Sequence, residues 1–128
     1  MAKSRRRGAP NGRSRHLTGR YSYIPHRVLA RLMMGLTIDS RQGCWIPQGS
    51  LKADGYKHCY WHDSSGIDRT LTAVHLIARV FHRRGACLDD DEVPHHLCWN
   101  PSCINPQHVQ IVTKAFHARI HGRLRRAA

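Results

Sequence analysis

No apolar run in the 128 residues approaches the roughly 18 that a membrane-spanning helix requires. The basic start does not lead into the apolar stretch of a secretory signal. A membrane partner is therefore not expected, and the expected setting is intracellular. Acidic residues are scarce, with 8 Asp and Glu against 21 Lys and Arg and a formal charge of +13. A surplus of that size is what a polyanion binder uses to displace counterions from phosphates, so nucleic acid is the expected partner. The shortage is uneven: Met1 to Arg41 holds ten Lys or Arg and one acid, Asp39. The stretch "MAKSRRRGAPNGRSRHLTGR" also lacks core-forming residues. Residues 1–23 are read as a basic arm that orders on a phosphate backbone, with a solubilising tail as the plainer reading. A chain of this length can bury only a modest core, which leaves little room for a second, cofactor-binding domain. No internal repeat is present.

What the chain does have is five cysteines and eleven histidines. In a reducing compartment Cys44, Cys59, Cys87, Cys98 and Cys103 should stay reduced, so their clustering points to a metal rather than to disulfides. The stretch "VPHHLCWNPSCINPQHV", residues 93–109, holds much of this chemistry. Cys98, Cys103 and His108 follow one another with four residues between each pair, which suits a tetrahedral zinc held by thiolates and imidazole. A closed site needs a fourth ligand from elsewhere. Cys44, in the Gly-rich "GCWIPQG", is the first choice, with Cys59 and Cys87 as the others. Buried free cysteines are the alternative.

Periodicity organises the rest. "IPHRVLARLMMGL" carries Val28, Leu29, Leu32, Met33 and Leu36 on one helical stripe. "GYKHCYW" and "GIDRTLT", joined by Asp63-Ser64-Ser65-Gly66, read as a hairpin. "TAVHLIARVFHRRG" reads as a second helix with Val74, Ile77, Ala78 and Phe81 inward and Gly85 as its stop. The acidic run Asp89 to Glu92 reads as a solvated loop. The tail reads strand, turn, strand, helix, with Thr113 as the N-cap of "KAFHARIHGRLRR". The fold class is α+β.

With His108 assigned to zinc, His95, His96, His117 and His121 remain. His117 and His121 lie one turn apart on one helix face. Extended backbone sends His95 and His96 to opposite sides. One of them can join His117 and His121 at a cation, while the other, His96, is suited to take a proton from water. A cation beside a general base in a basic protein is the equipment of phosphodiester hydrolysis. The plainer reading has His117 and His121 merely facing phosphates.

These residues resemble the HNH nucleases, particularly the phage and intron-encoded type related to His-Cys box homing endonucleases. The resemblance covers about residues 24–122 and is carried by "GCW" and by H-L-C-x-N-P-x-C-x-N-P-x-H. It implies a ββα-metal core over about 93–122 within a nuclease domain at 24–128. It also implies DNA cleavage with a structural zinc at Cys44, Cys98, Cys103 and His108, and His96 as general base. His117 would take the cation-binding position that is commonly Asn, a softer ligand that shifts the expected preference from Mg toward Mn, Ni or Zn. Asn105 would be the bracing Asn of the family name, with position 108 as the alternative by register. The closing helix is also similar to that of colicin-type DNases, with a His-x3-His pair at the metal, which implies His121 as a further ligand. His95 stands where many relatives carry an Asp. Arg5, Arg6, Arg7, Arg13 and Arg15, with Arg123, Arg125 and Arg126 at the far end, would supply DNA affinity independent of sequence. The chain does not show the second zinc motif or dimer-forming tail of the His-Cys box enzymes, so a nicking monomer and a double-strand cutter are both compatible with it. The rival expectation is a zinc-stabilised nucleic-acid-binding module that does not cut, such as a phage particle or packaging component.

Overall fold

A computed structural model describes residues 16–127, with side chains to residue 123. Arg5, Arg6, Arg7, Arg13 and Arg15 lie outside the described residues, as do the side chains of Arg125 and Arg126.

Helix α1, His26–Met33, starts after an extended Pro25. It turns Val28 and Leu32 into the core, with Leu29, Met33 and Leu36 packed at the core's edge. Strands β2, Thr37–Ile38, and β3, Trp45–Ile46, then form a small antiparallel pair. Their turn is closed by Gly43 N–H to the Asp39 carbonyl at 2.7 Å and by Asp39 N–H to the Cys44 carbonyl at 2.8 Å. Gly43 sits at φ +75°, which glycine adopts at little steric cost. Cys44 is thereby presented at the start of β3.

The expected hairpin is β4, His58–His62, against β5, Asp68–Thr72. Its turn is wound around the Asp63 carboxylate, which accepts the N–H groups of Ser65 and Ile67, both at 2.9 Å. Alternation puts Cys59, Trp61 and Leu71 inward. Thr72 ends β5 and caps helix α2, Ala73–Ile77, by accepting the His75 N–H. The helix then widens into a π-helical turn over Ala78–His82. This alters one expectation. Val74, Ile77 and Ala78 are buried, but Phe81 is 46% exposed, because the wider i→i+5 winding rotates it off the face a regular α-helix would give it. Gly85, at φ +92°, closes the turn by donating to the Arg79 carbonyl.

Two segments are more tightly held than their composition suggests. Within the stretch expected as an arm, β1, Leu17–Thr18, pairs in parallel with β5. The guanidinium of Arg79, only 4% exposed, donates to the carbonyls of Gly19, Arg20 and Ser22. A buried guanidinium demands such acceptors. In the Asp89 to Glu92 run, Asp89, Asp90 and Asp91 form an exposed loop as expected, while Glu92 is half-buried and opens a strand. Glu92 pairs with Arg83 at 2.8 Å and accepts the Asp89 N–H at 2.9 Å, and Asp90 accepts the Tyr21 hydroxyl. Arginines that need counter-charges are close at hand in so basic a chain.

Strand β6, Glu92–His96, pairs antiparallel with β7, Val109–Thr113, setting His95 opposite Gln110 and His96 opposite Val109. Helix α3, Lys114–Ala127, follows directly, and its first turn is capped by Thr113 Oγ1 accepting the Phe116 N–H at 3.1 Å. The architecture is thus a small α+β fold with three α-helices and three small sheets among the described residues. Leu76, Ile77, Leu88 and Ile104 are fully buried at its centre, each contributing about 2 kcal/mol of transfer free energy. No described helix is long and apolar enough to cross a membrane.

Candidate functional site

The β6–β7 connection is a loop that closes on itself. Cys103 N–H donates to the Asn100 carbonyl at 3.0 Å, and Leu97 N–H to the His108 carbonyl at 2.7 Å. Asn105 opens a short 3-10 turn, Pro106–His108, by accepting the Gln107 N–H on its side-chain oxygen. These bends bring Cys98, Cys103 and His108 together, and the β2–β3 turn delivers Cys44 from the other side. One donor atom from each of the four lies within 4.8 Å of every other. His108 Nδ1 stands 3.7 Å from Cys44 Sγ and 3.5 Å from Cys103 Sγ. Tetrahedral zinc with its usual bond lengths sets nitrogen and sulfur about 3.6 Å apart, so the set fits such an ion. Cys44 and Cys103 are fully buried. Burial and the neighbouring Cys103 and Cys98 thiols push the Cys44 thiol up to about 12. The Cys103 thiol is raised too, chiefly by burial. Crowded protonated thiols become good ligands once a cation makes the thiolate favourable.

Asn105 lies beside this cluster rather than at the imidazoles. It is buried, its amide donates to the Gly43 carbonyl at 2.8 Å, and its backbone N–H points to Cys103 Sγ. It ties the late loop to the turn that carries Cys44. Cys59 is buried under β4 with its thiol pushed up to about 11, chiefly by burial. Cys59 and Cys87 take no part in the four-residue group.

The second cluster occupies a cleft of about 190 Å³ where β6 meets α3. His95 comes from β6, and His117 and His121 from successive turns of α3. One ring nitrogen from each lies within 4.8 Å of the others, and the Nε2 atoms of His117 and His121 are 3.1 Å apart. Burial holds His95 and His117 below the ordinary imidazole range, and the other imidazoles push the same way. Both rings are therefore neutral at pH 7, with a lone pair free to meet a cation. His96 leaves β6 on the opposite side from His95 yet lines the same cleft. Its Nε2 is 2.9 Å from the Cys103 carbonyl. A carbonyl only accepts, so Nε2 carries the hydrogen and Nδ1 keeps the lone pair. Burial lowers His96 as well, keeping it unprotonated.

No protein-family model, curated protein or solved structure matches this chain. The chemistry therefore rests on the side chains themselves. A larger groove of about 580 Å³ runs between α1 and β4, but it has no convergent ligand set among the described residues, so the smaller cleft is the better site. Asp54, Tyr56 and Trp99 also line that cleft, and sequence reasoning did not single them out. Trp99, lodged between Cys98 and Cys103 in "CWNPSC", carried the one usable signal, a large aromatic in a cysteine-bounded loop. His75, which lies on α2, is buried away from the cleft.

Proposed function

We propose that the protein is a metal-dependent DNA endonuclease of the HNH type, its β6–β7–α3 unit serving as a ββα-metal core. The observation that carries this reading is the meeting of three imidazoles and a fourth, base-competent histidine in one cleft of a chain with a formal charge of +13. His95, His117 and His121 would hold a divalent cation, with Mn, Ni or Zn suiting imidazole better than Mg. When bound, that ion supplies charge stabilisation at the scissile phosphate and at the departing oxygen. Cys44, Cys98, Cys103 and His108 would hold a structural zinc, which fastens the early turn to the late loop.

The residues of the chain account for the proton. His96 Nδ1 accepts it from water as the water oxygen bonds to phosphorus and the opposite P–O bond breaks, the leaving oxygen taking that electron pair. The Cys103 carbonyl holds the ring in the tautomer this requires and favours the imidazolium that forms. Basic side chains along the chain, including Arg123 near the end of α3, attract the phosphate backbone without reading sequence.

Supercoiled-plasmid cleavage with Mg, Mn, Ni and Zn tests the reading. Wild type should relax or linearise the plasmid with at least one cation, and His96→Ala should retain DNA binding while losing about 10²- to 10⁴-fold in rate. A wild type that binds DNA but cuts with none of the four cations would instead indicate a zinc-stabilised binding module.

A further inference from the structure

Trp99 has a backbone that its side chain does not favour and a ring that touches two members of the imidazole cluster. Its φ is +59°, the left-handed region in which a bulky residue is strained. Such a conformation persists only where its surroundings impose it. Here the loop is fastened at both ends, since Cys98 precedes Trp99 directly and both Cys98 and Cys103 belong to the thiol cluster. Between them the Asn100 side-chain oxygen accepts the Ser102 N–H at 3.1 Å and the Ser102 hydroxyl at 2.8 Å.

The conformation aims the indole across the rim of the cleft. Its centroid lies 5.0 Å from the His95 ring at 82° and 5.2 Å from the His121 ring at 71°, both edge-to-face. The third ring, His117, packs in turn on His95 and His121 at 5.3 and 4.3 Å. An imidazole that ligates a metal is usually oriented by a carbonyl or carboxylate on its other nitrogen. Among the described residues neither His95 nor His121 has such a partner, and their only ring hydrogen bond joins His121 to His117. Aromatic packing is what remains to orient them.

We infer that Trp99 is a positioning residue that couples the two clusters: the thiol site sets its left-handed backbone, and its indole holds His95 and His121 at the spacing a divalent transition cation needs. This rests on the reading of the three imidazoles as a cation site. The coupling is reciprocal in free energy, so an ion at the thiol cluster strengthens binding at the imidazoles and the converse also holds.

Protein carrying zinc at the thiol cluster is titrated with Ni²⁺ by calorimetry, comparing wild type, Trp99→Gly, Trp99→Phe and His121→Ala. Glycine accepts the left-handed backbone without strain, so Trp99→Gly removes the ring and leaves the loop its shape. The Gly variant should bind Ni²⁺ roughly 10- to 100-fold more weakly, the Phe variant should recover most of that loss, and His121→Ala should abolish the step. Cobalt substituted at the thiol cluster should give the same thiolate charge-transfer absorption in wild type and Trp99→Gly, showing the first site intact. In wild type, Ni²⁺ should also quench indole emission, a contact test that depends on no variant's folding, and Trp99→Phe should lose that quenching. A Gly variant that binds Ni²⁺ within about twofold of wild type overturns the positioning role alone. A wild type that takes up no Ni²⁺ beyond the thiol cluster overturns the imidazole reading and this inference with it.

Discussion

His75 shows what a single side chain costs a domain this small. It is 8% exposed, its Nε2 has no hydrogen-bond partner, and burial, with Arg20 and Arg79 nearby, lowers it from the ordinary 6.5 to about 4. The unfolded chain binds a proton near pH 6.5 that the folded chain refuses until about pH 4. Stability from this residue is therefore complete above pH 6.5 and drains away as pH falls toward 4, by about 3 kcal/mol in all. His75→Leu removes the titration and the orphaned nitrogen together. Denaturant unfolding of the two proteins between pH 7 and pH 4 should show the variant gaining about 3 kcal/mol on wild type across that span. A difference that stays constant with pH would mean that His75 is solvated or paired in solution.

At the scale of elements, one long-range fastening joins the early β2–β3 turn to the late β6–β7 loop. The β2–β3 pair holds only two residues per strand and meets the β6–β7 loop through Cys44, the Asn105–Gly43 hydrogen bond and the Ile104 N–H to the Trp45 carbonyl at 2.8 Å. Removing a tightly held metal removes folding free energy outright. A chelator strong enough to strip zinc should lower the thermal midpoint of wild type by about 10 °C or more, corresponding to a loss of about 3 kcal/mol. Cys44→Ala should start near that lower midpoint and respond little to the chelator. Equal chelator sensitivity in both proteins would exclude Cys44 as a ligand. The local part of this arrangement was legible in the sequence because Cys98, Cys103 and His108 sit at loop spacing, and Cys44 stood out by its Gly-rich turn. The amphipathic stripe of α1 and the β4–β5 hairpin were legible for the same reason, since their patterns repeat within a few residues. What escaped has no local signature. A two-residue strand such as β1 has no period, the π-helical turn moves Phe81 without any change of residue type, and a left-handed backbone at Trp99 is imposed by its neighbours rather than encoded by tryptophan.

For the whole molecule the governing quantity is charge. The formal excess of +13 raises the free energy of the compact chain by self-repulsion and favours association with a polyanion, which relieves it. Two of the described acids are committed to arginines, Asp63 to Arg69 and Glu92 to Arg83. They leave many of the basic side chains without a counter-charge. Six of the 21 Lys and Arg, at positions 3, 5, 6, 7, 13 and 15, fall within the first fifteen residues. If the protein binds DNA as proposed, affinity measured against salt should fall linearly on logarithmic axes, with a slope of about −0.9 for each phosphate neutralised. Deleting residues 1–15 leaves β1 and the carbonyls that hold Arg79 in place, so the fold should survive. If all six basic groups meet phosphates, the deletion should make the slope shallower by about 5, while the relative affinity for different sequences stays the same. An unchanged slope would show that the six basic groups do not touch the backbone, and would move the electrostatic footprint onto the folded surface around α3.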